Sequence, residues 1–143
     1  MSRLAILDCE HINEVMHNCQ EFGQMMADGL NLVGFRPEIE LFDTKRGDLP
    51  VSTADFSGYI VMGSLSGAYD KDLWIYDLGN FIRDLASAGD SKLVGICFGH
   101  QMIGHSLGGK VTKAPQGWGI GGKTSQLIPE NFPIPLTSRS EEC

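Results

Sequence analysis

Hydrophobic positions in this chain fall into two periods, and the shorter period predicts four strands. Residues 3–8 and 92–96 are nearly continuous apolar runs, of the kind that a parallel sheet buries on both faces. Residues 37–42 alternate between polar and apolar side chains. Residues 57–62 form the remaining run, which leads directly into the glycine- and serine-rich segment 63–67. We expect each run to be one strand.

Between the first two strands, apolar residues recur at three- and four-residue steps, which is the spacing of one face of a helix. Gly29 and Gly34 mark the end of this segment, since glycine commonly ends a helix. We therefore predict a single helix whose apolar face carries Ile12, Val15, Met16, Cys19, Phe22, Met26 and Leu30.

Two further helices are predicted after the third and fourth strands. Asp70 or Asp72 can cap the first of them, and Gly89 ends it. The second runs over residues 98–107 and is closed by the glycines at 108–109. The first of these helices has an apolar face made of Ile75, Leu78, Ile82 and Leu85.

The order of these elements predicts an α/β fold with a mainly parallel, doubly wound sheet of the flavodoxin-like kind, incomplete on its C-terminal side. Such sheets bind ligands at the carboxyl ends of their strands, where segment 63–67 and Cys97 are expected to lie. The pattern weakens afterwards, although residues 110–113 and 121–128 fit short strands. Residues 129–143 contain three prolines and are predicted to be an irregular tail.

Composition narrows the classes of function. The net charge of -7 disfavours nucleic acid and anionic membrane surfaces as partners. No apolar run approaches the length of a membrane span, and no signal peptide precedes residue 8, so we expect a cytoplasmic protein. The four cysteines lack metal-ligand spacing, so we expect no metal and no cofactor.

The chemistry is expected in the run Gly95-Ile96-Cys97-Phe98-Gly99-His100-Gln101. A nucleophile at a strand-to-helix turn is held above the sheet, and glycines on both sides relieve the crowding. The positive end of the following helix favours the thiolate, and the free N–H of Phe98 can face an oxyanion. The alternative is that Cys97 is an ordinary buried thiol.

This run, followed by Leu107-Gly108-Gly109, resembles the class I glutamine amidotransferase family. Segment 63–70 resembles its oxyanion loop, and residues 117–121 resemble a stretch found in its small stand-alone members. The resemblance covers about residues 4–128, so we expect a partial domain of this family over residues 1–128. It implies that Cys97 forms a glutamyl thioester from glutamine. It also implies an oxyanion site formed by the backbone N–H groups of Gly63, Ser64, Leu65 and Phe98. It further implies that Gln101 contacts the substrate.

The sequence departs from the family pattern after Cys97. The family places its catalytic base in a His-x-Glu motif well downstream, and no such motif follows here. His100 and His105 follow Cys97 closely and lie on the helix predicted over residues 98–107, whose side chains point away from the sulfur. Without a base the thiol loses its activator and its proton donor. We expect weak or no glutaminase activity from this chain alone. We also expect that this chain stops before the His-x-Glu motif of the family.

Two other functions stay open. A non-catalytic relative would bind a partner chain or pair with itself through an exposed sheet edge and an apolar patch. A thiol redox or deglycase-like protein would instead use Cys97 through oxidation to a sulfenic acid. The matches at Gln101 and in segment 63–70 favour glutamine chemistry over the redox alternative.

Overall fold

The described residues form one parallel sheet in the strand order β2-β1-β3-β4, in a computed structural model that describes residues 3–117, 119, 121, 122 and 124. The strands are β1 (Arg3–Asp8), β2 (Glu38–Asp43), β3 (Gly58–Val61) and β4 (Lys92–Gly95). In the register, Ala5 of β1 lies opposite Glu40 of β2 and Tyr59 of β3. The predicted α/β fold with a parallel sheet is confirmed.

Successive side chains of a strand point to opposite faces, so both faces of this sheet carry apolar side chains. Helices cover both of these faces. The helices are α1 (Ile12–Val15), α2 (Phe22–Leu32), α3 (Leu73–Ala88) and α4 (Phe98–Ser106). The larger core lies between the sheet and α3 and α4, and includes Leu7, Tyr59, Leu78, Ile82, Phe98 and Met102. The smaller core lies under α2 and contains Ile6, Ala27 and Met62.

The prediction of one helix from Ile12 to Leu30 is wrong. The structure has two helices there, and the chain between them passes through Asn18 at a φ of 68°. The side chain of Glu21 accepts the N–H of Ile12 at 2.8 Å, so it caps the short first helix. Helical spacing of apolar residues continues across this break, although Val15 and Met16 are more than half exposed, and spacing alone does not reveal a left-handed turn.

The strands predicted after α4 are not found where the structure describes them. Residues 110–113 have no strand partner, and Gly121 and Gly122 are in irregular backbone. Residue 123 and residues 125–128 of the second predicted strand lie outside the described residues, as does the whole predicted tail 129–143. The chain divides into two units, Met1–Lys113 and Ala114–Cys143, and the second contains a turn in which the Gly117 N–H donates to the Ala114 carbonyl.

β4 lies at an edge of the sheet and pairs only with β3 among the described strands. Leu93 packs against the larger core, so Val94 points to the opposite face, where it is 53% exposed. Ile96, just beyond the strand, is 36% exposed. Within the described residues, no helix has the length and apolar character needed to cross a membrane.

Candidate active site at the Cys97 turn

Cys97 forms the turn between β4 and α4 and is exposed to solvent. Its backbone has a φ of 53° and a ψ of -108°, a region that residues other than glycine rarely occupy. Such a conformation persists only where the surroundings enforce it, and it is often found at functional sites. The turn therefore holds the thiol at the carboxyl edge of the sheet, where Cys97 was predicted to lie.

Two glycines make this turn possible through close backbone approach. A Cβ at Gly95 would lie 2.5 Å from the backbone of Gly99 and His100. A Cβ at Gly99 would overlap the carbonyl of Val61 on β3. Any side chain at either position would push α4 away from the sheet, which explains the Gly-x-Cys-x-Gly pattern in physical terms.

The loop after β3 approaches Cys97 at Gly63. A Cβ at Gly63 would lie 3.8 Å from the Cβ of Cys97. Within the described part of the chain, the N–H groups of Gly63, Ser64 and Phe98 have no hydrogen-bond partner. Unpartnered backbone donors next to a nucleophile are the components of an oxyanion site.

Leu65 has a different environment from the other predicted oxyanion residues. Its N–H donates to Oε2 of Glu10 at 2.8 Å, and its side chain is 63% exposed. The Leu65 donor, predicted to bind an oxyanion, is thus bonded to a carboxylate in this structure.

Glu10 is a residue of this edge that sequence reasoning did not single out. Its carboxylate is 4% exposed and accepts from Lys45 Nζ at 2.6 Å, the His11 N–H at 3.1 Å, the Ser64 hydroxyl at 3.1 Å and the Leu65 N–H at 2.8 Å. Burial opposes ionisation of Glu10, but the bonds from Lys45, Leu65 and Ser64 outweigh it and lower the pKa of the carboxyl. Its position two residues after a buried strand was the available signal.

Gln101 lies on α4, one turn beyond Cys97, and its N–H donates to the Cys97 carbonyl at 3.1 Å. Its side chain is exposed, as are those of His100 and His105. Among the described residues, no histidine hydrogen-bonds to the Cys97 thiol, and no group of His, Cys, Asp and Glu side chains is arranged to hold a metal ion. The described site thus offers an exposed thiol and backbone N–H groups that have no partner among the described residues.

Comparison with known proteins bears on the family and the fold of this chain. The sequence profile described as glutamine amidotransferase class-I matches residues 14–139. Gamma-glutamyl peptidase 2 of Arabidopsis thaliana is 36% identical over 84 residues, which are 57% of this chain and 34% of that protein. Gamma-glutamyl peptidase 5 of the same plant is 32% identical over 91 residues, covering 62% of this chain and 36% of that protein.

Solved structures show the same fold. The glutamine amido transferase of Methylobacillus flagellatus superposes with a TM-score of 0.62 at 25% identity, over 80% of this chain and 42% of that one. The chain spans about a third of the length of the two plant relatives, which were matched over 34% and 36% of their own length.

Proposed function

Because this chain belongs to the class-I glutamine amidotransferase family, we propose that Cys97 is the nucleophile of a site that attacks a γ-glutamyl carbonyl. The observation that carries the proposal is the exposed Cys97 at a φ of 53°, close to Gly63. Among the described residues, the N–H groups of Gly63, Ser64 and Phe98 have no hydrogen-bond partner. An exposed thiol beside free backbone donors is suited to acyl transfer.

One carbonyl unites the two activities found among the relatives. The side-chain amide of glutamine and the peptide bond of a γ-glutamyl compound share the same γ-carbonyl and differ in the amine that leaves. A thiol and an oxyanion site act on this carbonyl in either case. A site of this kind therefore suits both substrates. Which of the two is preferred depends on the residues that bind the departing amine.

In the proposed reaction, the Cys97 thiolate forms a bond to the carbon of the γ-carbonyl group, and the carbonyl electrons move to an oxyanion held by the backbone donors. The carbonyl re-forms as the C–N bond breaks, and the leaving nitrogen takes a proton from water. Water hydrolyses the resulting thioester to glutamate and regenerates the thiol. Gln101, one helical turn from Cys97, is proposed to contact the substrate's glutamyl group.

Proton transfer is the step for which the described residues offer no group. The sequence after Cys97 contains His100 and His105 but no His-x-Glu motif, and both histidines are exposed on α4. A base activates the thiol and an acid protonates the leaving amine, and each contributes about a hundredfold or more to the rate. We propose that the chain by itself cleaves glutamine weakly or not at all.

The test is release of glutamate from glutamine and from a γ-glutamyl dipeptide by the purified chain, with Cys97→Ala as the matched control. We expect little activity in plain buffer and a dose-dependent increase with added imidazole, which can replace a missing histidine. The increase must be absent from Cys97→Ala. Imidazole-dependent release that is equal in both proteins would contradict a role for Cys97.

A second candidate function rests on the exposed edge at β4. Val94 and Ile96 expose apolar surface beside backbone groups of a strand that pairs on one side among the described residues. Such an edge favours strand addition by a second chain. We propose self-association or binding of a partner chain as the alternative to catalysis, which sedimentation equilibrium of the purified chain tests.

A further inference from the structure

Glu10 connects three segments at the carboxyl edge of the sheet. It follows β1, and its Oε1 pairs at 2.6 Å with Lys45, which lies in the 3-10 turn Thr44–Arg46 after β2. Its Oε2 accepts from the hydroxyl of Ser64 and the N–H of Leu65, in the loop after β3. A buried carboxylate with this many donors holds those segments in one arrangement.

The contacts continue from Lys45 to the Cys97 turn. Lys45 Nζ lies 6.0 Å from the centre of the Trp74 ring, in the first turn of α3. The Trp74 ring in turn packs against the ring of Phe98 at 5.5 Å between centres. Phe98 is the residue directly after the nucleophile, so one continuous set of contacts joins the loop after β3 to the first turn of α4.

The orientation of the loop follows from these bonds. With the Leu65 N–H and the Ser64 hydroxyl directed to Glu10, the N–H groups of Gly63 and Ser64 have no partner among the described residues. We propose that Glu10, together with Lys45, is a positioning pair that holds this loop so that Gly63 and Ser64, rather than Leu65, supply the oxyanion donors. This inference rests on the proposed acyl-transfer function of Cys97.

The positive charge of Lys45 has a separate role in the proposal. A carboxylate bonded to the oxyanion loop repels the negative charge that develops on the substrate oxygen, and solvent screens this repulsion little because the carboxylate of Glu10 is buried. Lys45 pairs with Glu10 at 2.6 Å and offsets that charge. Removing the ammonium while keeping the carboxylate should therefore impair acyl transfer as much as removing the carboxylate.

Two reactions of Cys97 separate the oxyanion site from simple thiol reactivity. With p-nitrophenyl acetate, the sulfur bonds to the acyl carbon through a tetrahedral oxyanion, and p-nitrophenolate leaves with the electrons of the broken C–O bond. With iodoacetamide, the sulfur bonds to the methylene carbon and iodide leaves, with no oxyanion. Neither leaving group needs a proton, so neither reaction needs the histidine base.

The experiment measures both rate constants at Cys97 by site-resolved mass spectrometry in the full chain and in variants. We expect Glu10→Ala and Lys45→Met each to lower the ratio of acylation to alkylation about tenfold or more, because misplacing an oxyanion donor has effects of this order. Lys45→Arg keeps the charge and should retain most of the ratio. The matched control is Asp55→Ala, which removes a carboxylate that caps a loop through the Ser52 N–H at 3.2 Å.

A ratio that stays at the wild-type value in both Glu10→Ala and Lys45→Met would overturn the proposal, as would an equal loss in Asp55→Ala. The alkylation rate serves as the internal measure of fold, since a general loss of structure changes both reactions. If Glu10→Ala does not fold, Lys45→Met and Lys45→Arg decide between the outcomes.

The test also distinguishes this inference from the proposed function. A lowered ratio in a chain that never cleaves glutamine or γ-glutamyl compounds, even with imidazole, would support the positioning pair and refute the substrate assignment. Cleavage of these substrates, together with a ratio of acylation to alkylation that is unchanged in the Glu10 and Lys45 variants, would support the substrate assignment and refute the positioning pair.

Discussion

The two cysteines near the carboxyl edge of the sheet differ in their exposure to solvent. Cys9 follows β1 and is fully buried, and burial raises the pKa of its thiol to about 12 despite a hydrogen bond from Thr44 at 3.4 Å. A thiol with such a pKa stays protonated and does not act as a nucleophile at neutral pH. Cys97, by contrast, is exposed on the turn before α4. Burial therefore disfavours Cys9 as a nucleophile and leaves Cys97 as the exposed thiol at this edge.

Glu10 gives the fold a predictable dependence on pH. Its pKa is lowered in the folded state, so its contribution to stability is present above its ordinary value of 4.5 and is lost as the pH falls through the lowered folded value. We expect Glu10→Gln to lower the free energy of unfolding by about 2 kcal/mol at neutral pH, since it weakens hydrogen bonds to a buried charge. Urea denaturation of both proteins measures the difference.

The same comparison well below pH 4.5 is the control for that expectation. Wild-type Glu10 becomes protonated there, and the difference from Glu10→Gln should shrink towards zero. A difference that is constant across this range would mean that the ionised carboxylate does not stabilise the edge.

At the level of single elements, α3 depends on the backbone conformation of the residue that ends it. Gly89 follows the helix at a φ of 72°, and its N–H donates to the Leu85 carbonyl. We expect Gly89→Ala to lower the free energy of unfolding by about 1 kcal/mol, because a side chain is strained in the left-handed region. Thermal and urea denaturation would measure this loss.

The matched control is the same substitution inside another helix. Gly29 lies within α2, and a Cβ there would meet nothing within 4 Å. Gly29→Ala should therefore raise the free energy of unfolding by about 0.5–1 kcal/mol, since glycine is a poor helix former. Changes of the same sign at Gly89 and Gly29 would contradict the explanation by backbone conformation.

For the whole molecule, the exposed apolar side of β4 and the net charge act in opposite directions. Val94 and Ile96 favour association through the sheet edge, whereas the net charge of -7 opposes it. We expect sedimentation equilibrium to show self-association that strengthens as salt screens the charge. Val94→Lys should return the protein to a monomer, because it adds a charge to the apolar face.

Leu32→Lys provides the control, since it replaces an 88% exposed apolar residue on α2 rather than beside the edge. It should leave the association constant close to that of the wild type. Equal effects of Leu32→Lys and Val94→Lys would indicate a general effect of charge, and a wild-type monomer at all salt concentrations would contradict self-association.

Much of the fold could be predicted from local pattern. The four strands and the helices after β3 and β4 lie within one or two residues of their predicted bounds, because a buried strand and an amphipathic helix each impose a period on the sequence. The glycines around Cys97 likewise indicated a turn with close backbone approach. The break between α1 and α2 was missed because Asn18 adopts a left-handed conformation that no periodicity records.

The sequence by itself determined the parallel sheet, the place of Cys97 at its carboxyl edge and the family to which the chain belongs. The tertiary structure alone decided that Glu10 and Lys45, which are 35 residues apart, form an ion pair beside the loop after β3. It also decided that the Leu65 N–H is bonded to that carboxylate. Local pattern reports which face of an element is buried, whereas such pairings arise only when separate strands bring their ends to one edge.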